Sequence, residues 1–333
     1  MKKLKVITLG GTIAMKEDEH GKASPALSGE NLVACVPGLK DVAEISIEPF
    51  CNIPSSHLTI DLIFGVANRI KEIINTQEAD GVVVIQGTDT LEETAYLLDL
   101  VLGVNNPVVL VGAMRNASEA SYDGTLNILN ACRVAADEHA YNKGVMLLGN
   151  DLILPAREVT KTHTSDVATF QAPNGGPLGV VDKHKVIFYR APLIREHYAV
   201  TKSNADVVLV KMAVDTRPHL IEHCVKQKVD GIVIEGFGRG HVPPAVIPGI
   251  EKAIKLGIPV VLTSRCGQGL VLDAYGHEAS ASHLKGLGII FGGDLIGQKA
   301  RIKLITLLGI TKDYEMIREA FESDLYSIPQ QIV

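Results

Sequence analysis

Short runs of β-branched apolar residues recur along most of this 333-residue chain, and longer amphipathic stretches separate them. A short apolar run fits a strand that is buried on both faces, whereas the longer stretches have helical periodicity. Alternation of the two is typical of a parallel sheet, because parallel strands need a crossover helix between them. We therefore predict an α/β fold with strands at residues 5–9, 82–85, 108–111, 145–148, 207–210, 232–234 and 260–262.

Helical periodicity is clearest at residues 62–75, where Ile63, Val66 and Ile70 fall on one stripe. Further helices are predicted at residues 91–102, 125–137, 244–255 and 298–308. An Asp-Gly pair precedes one predicted strand in each half of the chain, at residues 80–81 and 230–231. Each half thus contains a strand, a glycine-containing loop and a helix. The loops at the carboxyl ends of such strands form the ligand crevice, so functional residues are expected there.

The length of 333 residues corresponds to roughly two domains. Charged residues break the apolar pattern between residues 182 and 206, and Pro192 falls within this segment. We place an N-terminal catalytic domain at residues 1–190, a linker at 191–206 and a C-terminal domain at 207–333.

Composition narrows the classes of partner. Apolar residues make up 46% of the chain and charged residues 21%, as in ordinary globular proteins. The formal net charge is -6 and there is no block of Lys or Arg, which argues against a nucleic-acid partner. No run of about 18 apolar residues is present, so no membrane span is predicted. Small molecules and further copies of this chain are the expected partners.

The cysteines and the N-terminal segment predict a cytoplasmic protein. No Cys-x-x-Cys pair occurs, so the cysteines are interpreted as free thiols: Cys35, Cys51, Cys132, Cys224 and Cys266. A basic start followed by an uncharged run at residues 6–15 is similar to a short secretory signal. Glycines and threonines interrupt the run, and charged residues follow where a cleavage site is expected. We interpret it as a buried first strand.

Residues 8–14 read TLGGTIA and form the loop after the first predicted strand. Gly10 and Gly11 allow a sharp turn and close approach to a ligand, which leaves the Thr12 hydroxyl at the tip. An ordinary glycine turn that happens to contain a threonine is the alternative. The pattern is not G-x-G-x-x-G and no P-loop motif occurs, so nucleotide binding is not indicated.

Residues 86–93 read QGTDTLEE and follow the second strongly apolar strand. Thr90 and Glu93 have the spacing of a capping box, in which Thr90 caps the helix and Glu93 reaches back. Thr88 and Asp89 then precede the helix, where a carboxylate can hold a substrate ammonium and a hydroxyl can orient a water or a proton. A capping role for Asp89 is the alternative.

Residues 158–165 read EVTKTHTS, a stretch rich in hydroxyls that contains Lys161. Most lysines are simply solvated. A lysine becomes a useful base when its pKa, ordinarily about 10.4, is lowered by burial or by cationic neighbours. With two loop threonines and a carboxylate, Lys161 completes the parts for a hydroxyl nucleophile and its activating base.

Residues 219–223 read HLIEH, which matches the inverted zinc-protease pattern H-x-x-E-H. Pro218 suits the first turn of a helix, on which Leu220 is predicted to face the core and His219 and His223 to face solvent. Two histidines one turn apart can bind zinc, but so short a pattern recurs by chance and no third ligand follows. A zinc peptidase is kept as a remote alternative.

Taken together, three stretches closely resemble the bacterial-type L-asparaginase family, which includes glutaminase-asparaginases: residues 8–14 (TLGGTIA), 86–95 (QGTDTLEETA) and 159–162 (VTKT). The resemblance extends through residues 111–115, 166–170 and 298–301, and so covers nearly the whole chain. It implies a larger N-terminal α/β domain with a mostly parallel sheet and a smaller flavodoxin-like C-terminal domain. It also implies a homotetramer with sites where two subunits meet, and neither a cofactor nor a metal.

By motif position, the resemblance implies that Thr12 is the nucleophile that attacks the side-chain amide, forms the acyl-enzyme and releases ammonia. Thr88, Asp89 and Lys161 match the second catalytic cluster, in which Lys161 and Thr88 relay a proton and Asp89 also binds the substrate α-ammonium. Ser55 matches the residue that binds the α-carboxylate. The other implied substrate-binding positions are Gly11, Ser56, Gly87 and Ala113.

The chain departs from the family pattern at three places. The family usually carries a tyrosine in the loop after the first motif, but residues 16–32 contain none. Tyr275 is the candidate substitute, and a turn-anchoring tyrosine is the alternative. His57 follows Ser56 where many members have an acidic residue, and Gln86 stands where histidine is common. The sequence therefore determines the reaction type more closely than the substrate.

The predicted activity is that of a cofactor-free amidohydrolase that converts L-asparagine to L-aspartate and ammonia through a threonine acyl-enzyme. A glutaminase-asparaginase and an amidase for a related amino-acid amide are alternatives within the same class. The zinc peptidase and a non-catalytic amino-acid binding protein are alternatives from other classes.

Overall fold

The computed structural model describes residues 1–11, 15–17, 23–25 and 36–323. The chain divides into two compact units, Met1–Thr201 and Lys202–Val333. This division falls within the segment 191–206. The last residues of the first unit form hydrogen bonds with helices of the same unit. The Tyr198 N–H donates to the Leu100 carbonyl at 2.7 Å, and Asn68 Nδ2 donates to the Thr201 carbonyl at 3.2 Å.

The first unit is built on a mainly parallel sheet. Its described strands are β1 (Lys3–Thr8), β2 (Met15–Glu17), β3 (Ala23–Pro25), β4 (Glu44–Pro49), β5 (Gly81–Ile85), β6 (Val108–Val111), β7 (Val145–Gly149), β8 (Leu152–Pro155), β9 (Thr160–Lys161), β10 (Phe170–Gln171), β11 (Gly179–Asp182) and β12 (Lys185–Phe188). Its described α-helices are α1 (Ile60–Asn75), α2 (Leu91–Leu102) and α3 (Gly124–Ala136).

Among the described strands, eight form one sheet in the order β12-β11-β8-β7-β6-β5-β1-β4, and β2–β3 and β9–β10 form separate two-stranded ribbons. Strands β4, β1, β5, β6 and β7 are parallel, whereas β8, β11 and β12 continue the sheet in antiparallel pairing. Strands β5, β6 and β7 are buried along their whole length. Their β-branched and aliphatic side chains suit this position, because a central parallel strand is covered on both faces.

The helices bury the stripes that the sequence predicts. Helix α1 buries Ile63, Val66 and Ile70. Ile128 of α3 belongs to the same core cluster as Val83 of β5. The predicted strands are all present, with differences only at their ends, but the predicted helix at 244–255 is divided into a 3-10 turn, Pro244–Val246, and a separate α-helix.

The second unit contains a smaller parallel sheet. Its described strands are β13 (Val207–Lys211), β14 (Gly231–Gly236), β15 (Val260–Ser264) and β16 (Ile290–Phe291), paired in chain order. Its described α-helices are α4 (His219–Gln227), α5 (Ile247–Lys255), α6 (Ala281–Leu287), α7 (Gly297–Leu308) and α8 (Tyr314–Glu322). The expected α/β class, with a larger mostly parallel sheet and a smaller C-terminal one, is confirmed.

The two Asp-Gly pairs have the same structural role in the two units. The Asp80 carboxylate accepts the N–H of Lys3, at the start of the neighbouring strand β1, at 2.8 Å. The Asp230 carboxylate accepts the N–H of Asp206, directly before β13, at 2.9 Å. In each unit the aspartate therefore links the beginnings of two strands that are neighbours in the sheet by a hydrogen bond.

Helix α4 corrects one expectation from the sequence. Leu220, predicted to face the core, is 60% exposed. The helix buries Ile221, Cys224 and Val225, and Leu220 lies one residue outside this stripe, about 100° around the helix.

No helix within the described ranges is long and apolar enough to cross a lipid bilayer.

Candidate active site

Most of the predicted site residues follow four neighbouring strands. Ser55 follows β4, Gly11 follows β1, Thr88 follows β5 and Ala113 follows β6. These strands are adjacent and parallel, so their carboxyl ends meet at one edge of the sheet. This edge is where an open α/β sheet binds its ligand.

Two glycines bring the loops after β1 and β5 into backbone contact. Gly11 has a φ of +97°, and a Cβ atom on it would overlap the backbone nitrogen of Gly87. A Cβ atom on Gly87 would lie 2.9 Å from Ser55 Oγ. Only glycine fits Gly11's place, because both the backbone angle and the available space exclude a side chain. Thr12, the predicted nucleophile, is the next residue and lies outside the described residues.

Lys161 joins the predicted second cluster. Its Nζ lies 2.9 Å from Thr88 Oγ1 and 2.9 Å from Asp89 Oδ1. Thr88 is buried, the Lys161 side chain is 18% exposed and the Asp89 side chain is 68% exposed. The cluster therefore extends from the interior of the site to its solvent side.

This arrangement suits proton transfer. A neutral lysine nitrogen at hydrogen-bond distance can take the proton of the Thr88 hydroxyl, and a carboxylate beside it stabilises the resulting ammonium. The exposed Asp89 carboxylate can also attract a cationic group from solvent. A hydroxyl, a base and an orienting carboxylate are the parts that activate a hydroxyl nucleophile.

Ser55 holds the loop that carries Thr88 and Asp89. Its Oγ accepts the Asp89 N–H at 3.2 Å, and its carbonyl accepts the Thr90 hydroxyl at 2.9 Å. Ser55 is 4% exposed, whereas its neighbour Ser56 is exposed. The Ser55 hydroxyl still has a proton to donate toward an anionic group.

The predicted capping box is wrong in its side-chain hydrogen bond. Thr90 occupies the N-cap position of α2, but its side chain makes no capping hydrogen bond. Its hydroxyl instead donates to the Ser55 carbonyl and accepts from Gln86 Nε2 at 3.3 Å. The hydroxyl is used to join two loops, which the local sequence pattern did not reveal.

The loop after β6 is held by a residue that sequence reasoning missed. Asp123 accepts the backbone N–H groups of Met114 and Arg115 at 3.0 and 2.9 Å. These bonds fix the residues that follow Ala113, which is itself buried. A Cβ atom on Gly112 would lie 2.9 Å from Thr88 Cγ2, so this loop packs directly against Thr88. The only sequence signal was an aspartate just before a helix.

Glu92 is the second missed residue. Its Oε2 accepts the backbone N–H of Lys161 at 2.7 Å, and the residue is 5% exposed. In the sequence it stands next to Glu93, within the predicted capping motif. A second acidic residue in the first turn of the predicted helix was the available sequence signal.

Tyr275 belongs to the second unit. Its ring lies 5.1 Å from that of His241, edge to face, and 6.2 Å from that of His277. Its side chain is half exposed. Its contact with substrate stays a prediction.

Neither the H-x-x-E-H pattern on α4 nor the Cys51 thiol forms part of a reactive site in the described residues. His219, Glu222 and His223 are exposed on α4, and the described part of the chain contains no group of three or more His, Cys, Asp or Glu side chains placed to hold a metal ion. Cys51 donates to the Leu9 carbonyl at 3.4 Å. Burial raises the pKa of its thiol, so it stays protonated at neutral pH.

Comparison with known proteins covers both units. The family model described as "Asparaginase, N-terminal" matches residues 3–194, and the one described as "Glutaminase/Asparaginase C-terminal domain" matches residues 206–321. L-asparaginase of Bacillus licheniformis is 36% identical over 313 residues, 94% of this chain and 97% of that protein. L-asparaginase 2 of Escherichia coli K12 is 37% identical over 326 residues, 95% of this chain and 91% of that protein.

A solved structure agrees with these sequence matches. The crystal structure of a probable cytoplasmic L-asparaginase from Campylobacter jejuni aligns with a TM-score of 0.87 and 34% identity, over 96% of this chain and 99% of that one. The resemblance inferred from the motifs is therefore confirmed, and the chain belongs to the bacterial-type L-asparaginase family.

Proposed function

We propose that this protein hydrolyses the side-chain amide of L-asparagine to L-aspartate and ammonia through a threonine acyl-enzyme. The observation that carries the proposal is the position of Lys161 Nζ, 2.9 Å from both Thr88 Oγ1 and Asp89 Oδ1, at the edge of the sheet where the loops after β4, β1, β5 and β6 meet. Membership of the asparaginase family supports the same reaction.

In the first half of the reaction, the Thr12 oxygen attacks the amide carbon. The hydroxyl proton passes to the amide nitrogen, the carbon–nitrogen bond breaks and ammonia leaves, which gives an ester of Thr12. In the second half, water attacks this ester, the proton returns to the Thr12 oxygen and aspartate is released. Lys161 and Thr88 relay the protons in our proposal, since a positioned acid–base pair lowers the barrier of both halves.

The substrate is held by groups around these side chains. Asp89 binds the α-ammonium, because its carboxylate is largely exposed next to Thr88. Ser55 donates its hydroxyl to the α-carboxylate, and Ser56 lies beside it on the exposed side. Gly11, Gly87 and Ala113 contribute backbone groups. Tyr275 of a neighbouring subunit takes the place of the tyrosine that is absent from residues 16–32.

A glutaminase-asparaginase is the second candidate. The C-terminal family model is described for both activities, and Gln86 and His57 stand at positions where the family pattern differs. The two candidates share the catalytic groups and differ in the substrate side chain by one methylene. A methylene in a binding pocket changes specificity by roughly 10–200-fold, so the choice must be measured.

The deciding experiment is ammonia release from L-asparagine, L-glutamine and their D-forms side by side, with Thr12→Ala as the test of the nucleophile. We expect release mainly from L-asparagine and a kcat at least about a hundredfold lower in a folded Thr12→Ala protein. Retained turnover in that variant contradicts the nucleophile. Faster release from L-glutamine selects the second candidate, and release from none of the four contradicts both.

We further propose a cytoplasmic homotetramer with sites at a subunit interface. The free thiols of Cys51, Cys132, Cys224 and Cys266 fit a reducing compartment. Leu270, Leu272 and Tyr275 expose apolar surface on one loop of the second unit, as a subunit contact requires. Sedimentation at several concentrations tests the tetramer, and cell fractionation tests the compartment.

A further inference from the structure

The strand that carries Lys161 is separate from the main sheet. Among the described strands, β9 pairs with β10 alone. Thr88 and Asp89, in contrast, lie on the loop between β5 of the main sheet and α2. Lys161 Nζ nevertheless reaches an oxygen of each. The ribbon β9–β10 therefore has to keep a fixed position relative to that loop for Lys161 Nζ to reach these oxygens.

Glu92 makes a direct connection of this kind. Its Oε2 accepts the backbone N–H of Lys161 at 2.7 Å. Glu92 is 5% exposed and lies in the first turn of α2, where the helix dipole stabilises a negative charge. A hydrogen bond from a backbone N–H to a carboxylate is stronger than one to a neutral acceptor, so this contact fixes the Lys161 backbone firmly.

Residues 88–92 thus hold both the backbone and the side-chain nitrogen of Lys161. Glu92 binds the lysine backbone, and Thr88 and Asp89, just before the same helix, bind its Nζ. A lysine side chain has four rotatable bonds and adapts easily. Fixing its backbone restricts the positions that Nζ can take, and displacements of about 1 Å in a reacting group can reduce rates a hundredfold.

We propose that Glu92 is a positioning residue that keeps Lys161 Nζ at its place between Thr88 and Asp89. The inference rests on the proposed function for its effect on turnover, but not for its effect on Lys161 itself. Glu92 acts through Lys161 and has no contact with the reacting atoms in this proposal.

The test compares two variants with a matched control on the same helix. Glu92→Met removes the acceptor at similar length, and Glu92→Gln keeps an oxygen acceptor. Asp99 also accepts a backbone N–H from a neighbouring strand, that of Val145 at 2.8 Å, so Asp99→Leu controls for the general loss of such a bond.

We expect Glu92→Met to lower kcat about tenfold or more with KM changed less than about threefold, and Glu92→Gln to recover kcat to within about threefold of the parent. Asp99→Leu should lower the thermal midpoint and leave kcat within about twofold. The proposal is overturned if Glu92→Met keeps its kcat, or if Asp99→Leu loses as much.

A second measurement needs no catalytic activity. Reductive methylation of lysines, followed by mass spectrometry of the Lys161 peptide, reports how tightly Nζ is held. We expect Lys161 to react more slowly than the exposed Lys255 in the parent, and about fivefold faster in Glu92→Met, because an Nζ released from its partners is more available. An unchanged rate overturns the proposal.

These two measurements separate the two proposals. If the parent hydrolyses no amide but methylation of Lys161 rises in Glu92→Met, the proposed function fails and the positioning role stands. If Glu92→Met does not fold, Glu92→Asp, whose carboxylate is one methylene short of the Lys161 N–H, takes its place with the same expected results.

Discussion

The Lys161 nitrogen lies between a buried hydroxyl and an exposed carboxylate, 2.9 Å from an oxygen of each. The two partners act differently on it. The Asp89 carboxylate accepts a hydrogen bond from the lysine nitrogen, whereas the Thr88 hydroxyl can exchange a proton with it. Asp89 can therefore keep Lys161 oriented while the proton moves through Thr88, and a lysine that lacks either partner loses part of this function.

Lys161→Met should lower kcat at least about a hundredfold at every pH from about 6 to about 9, because the base itself is removed and no pH change restores it. Stability should fall little, since the side chain is near the surface of the site. Lys255→Met is the control, because Lys255 makes an exposed ion pair with Glu251 on α5. A pH at which Lys161→Met regains parental turnover contradicts the role.

Gly11→Ala should reduce both stability and turnover. Its left-handed backbone alone costs a Cβ-bearing residue about 1–2 kcal/mol, and overlap with Gly87 adds to this. Gly257→Ala is the matched control, because Gly257 has a φ of +77° but open space around it. We expect a larger drop in unfolding free energy for Gly11→Ala, and about tenfold or more lower kcat/KM in that variant alone. Equal effects would show that the loop contact has no role.

Between elements, one charged network links α1 to the edge of the sheet. Arg69 of α1 binds Glu48 of the edge strand β4 and Glu78 before β5, at 2.8 Å each. Lys5 of β1 also pairs with both carboxylates. Since β4 precedes the loop that carries Ser55, the network secures the strand that positions one side of the site.

This network predicts a pH dependence of stability. The hydrogen bond from Arg69 lowers the pKa of Glu48, and the hydrogen bond from Lys5, with that from Arg69, lowers the pKa of Glu78. A lowered folded-state pKa means that the stabilisation is complete above the unfolded value, about 4.3, and is lost as the pH falls through the folded values.

Thermal midpoints measured from about pH 6 down to about pH 3.5 should therefore fall more steeply for the parent than for Arg69→Met. The variant should already be less stable at pH 6, and the difference should shrink in acid. Lys255→Met, which removes an exposed pair between neighbouring turns of α5, should leave the slope unchanged. Parallel curves for the parent and Arg69→Met would contradict this account.

At the scale of the whole molecule, each unit has its own parallel sheet and its own apolar core. The side chains that can support hydroxyl nucleophile chemistry cluster in the first unit, whereas the zinc-like pattern lies on α4 of the second. His219 and His223 are exposed there, and no third ligand accompanies them in the described ranges. The reaction we propose balances with water and side-chain protons alone.

Dialysis against a chelator should therefore leave amide hydrolysis within about twofold of the untreated protein, and the double variant His219→Ala, His223→Ala should behave in the same way. Ammonia release before and after dialysis is the measurement, with metal content determined on the same samples. Activity that is lost with the metal and restored by zinc would favour the zinc peptidase over the amidohydrolase.

The sequence by itself determined those strands and helices whose burial follows from the spacing of their apolar residues. The uniform apolar runs of β5, β6 and β7 and the stripe of α1 are predicted because a buried strand or helix face needs apolar residues at fixed spacing. The three motifs likewise identified the family. Strand β4 was not predicted, because it lies at the edge of the sheet and polar residues alternate with apolar ones in it. Strands β11 and β12 were not predicted either, because the charged residues Asp182 and Lys185 interrupt the apolar pattern where one strand ends and the other begins.

Only the tertiary structure decided which atoms of distant segments form hydrogen bonds. Lys161 and Asp89 are 72 residues apart in the chain, and the family resemblance assigned them to one cluster without specifying the atoms that meet. The Thr90 hydroxyl, predicted to cap the helix, and the Glu92 carboxylate, for which the sequence predicted no role, each bind a distant backbone group. Periodicity reports how each segment is buried, whereas a hydrogen bond between distant segments depends on how the strands are ordered and on which loops their ends bring together.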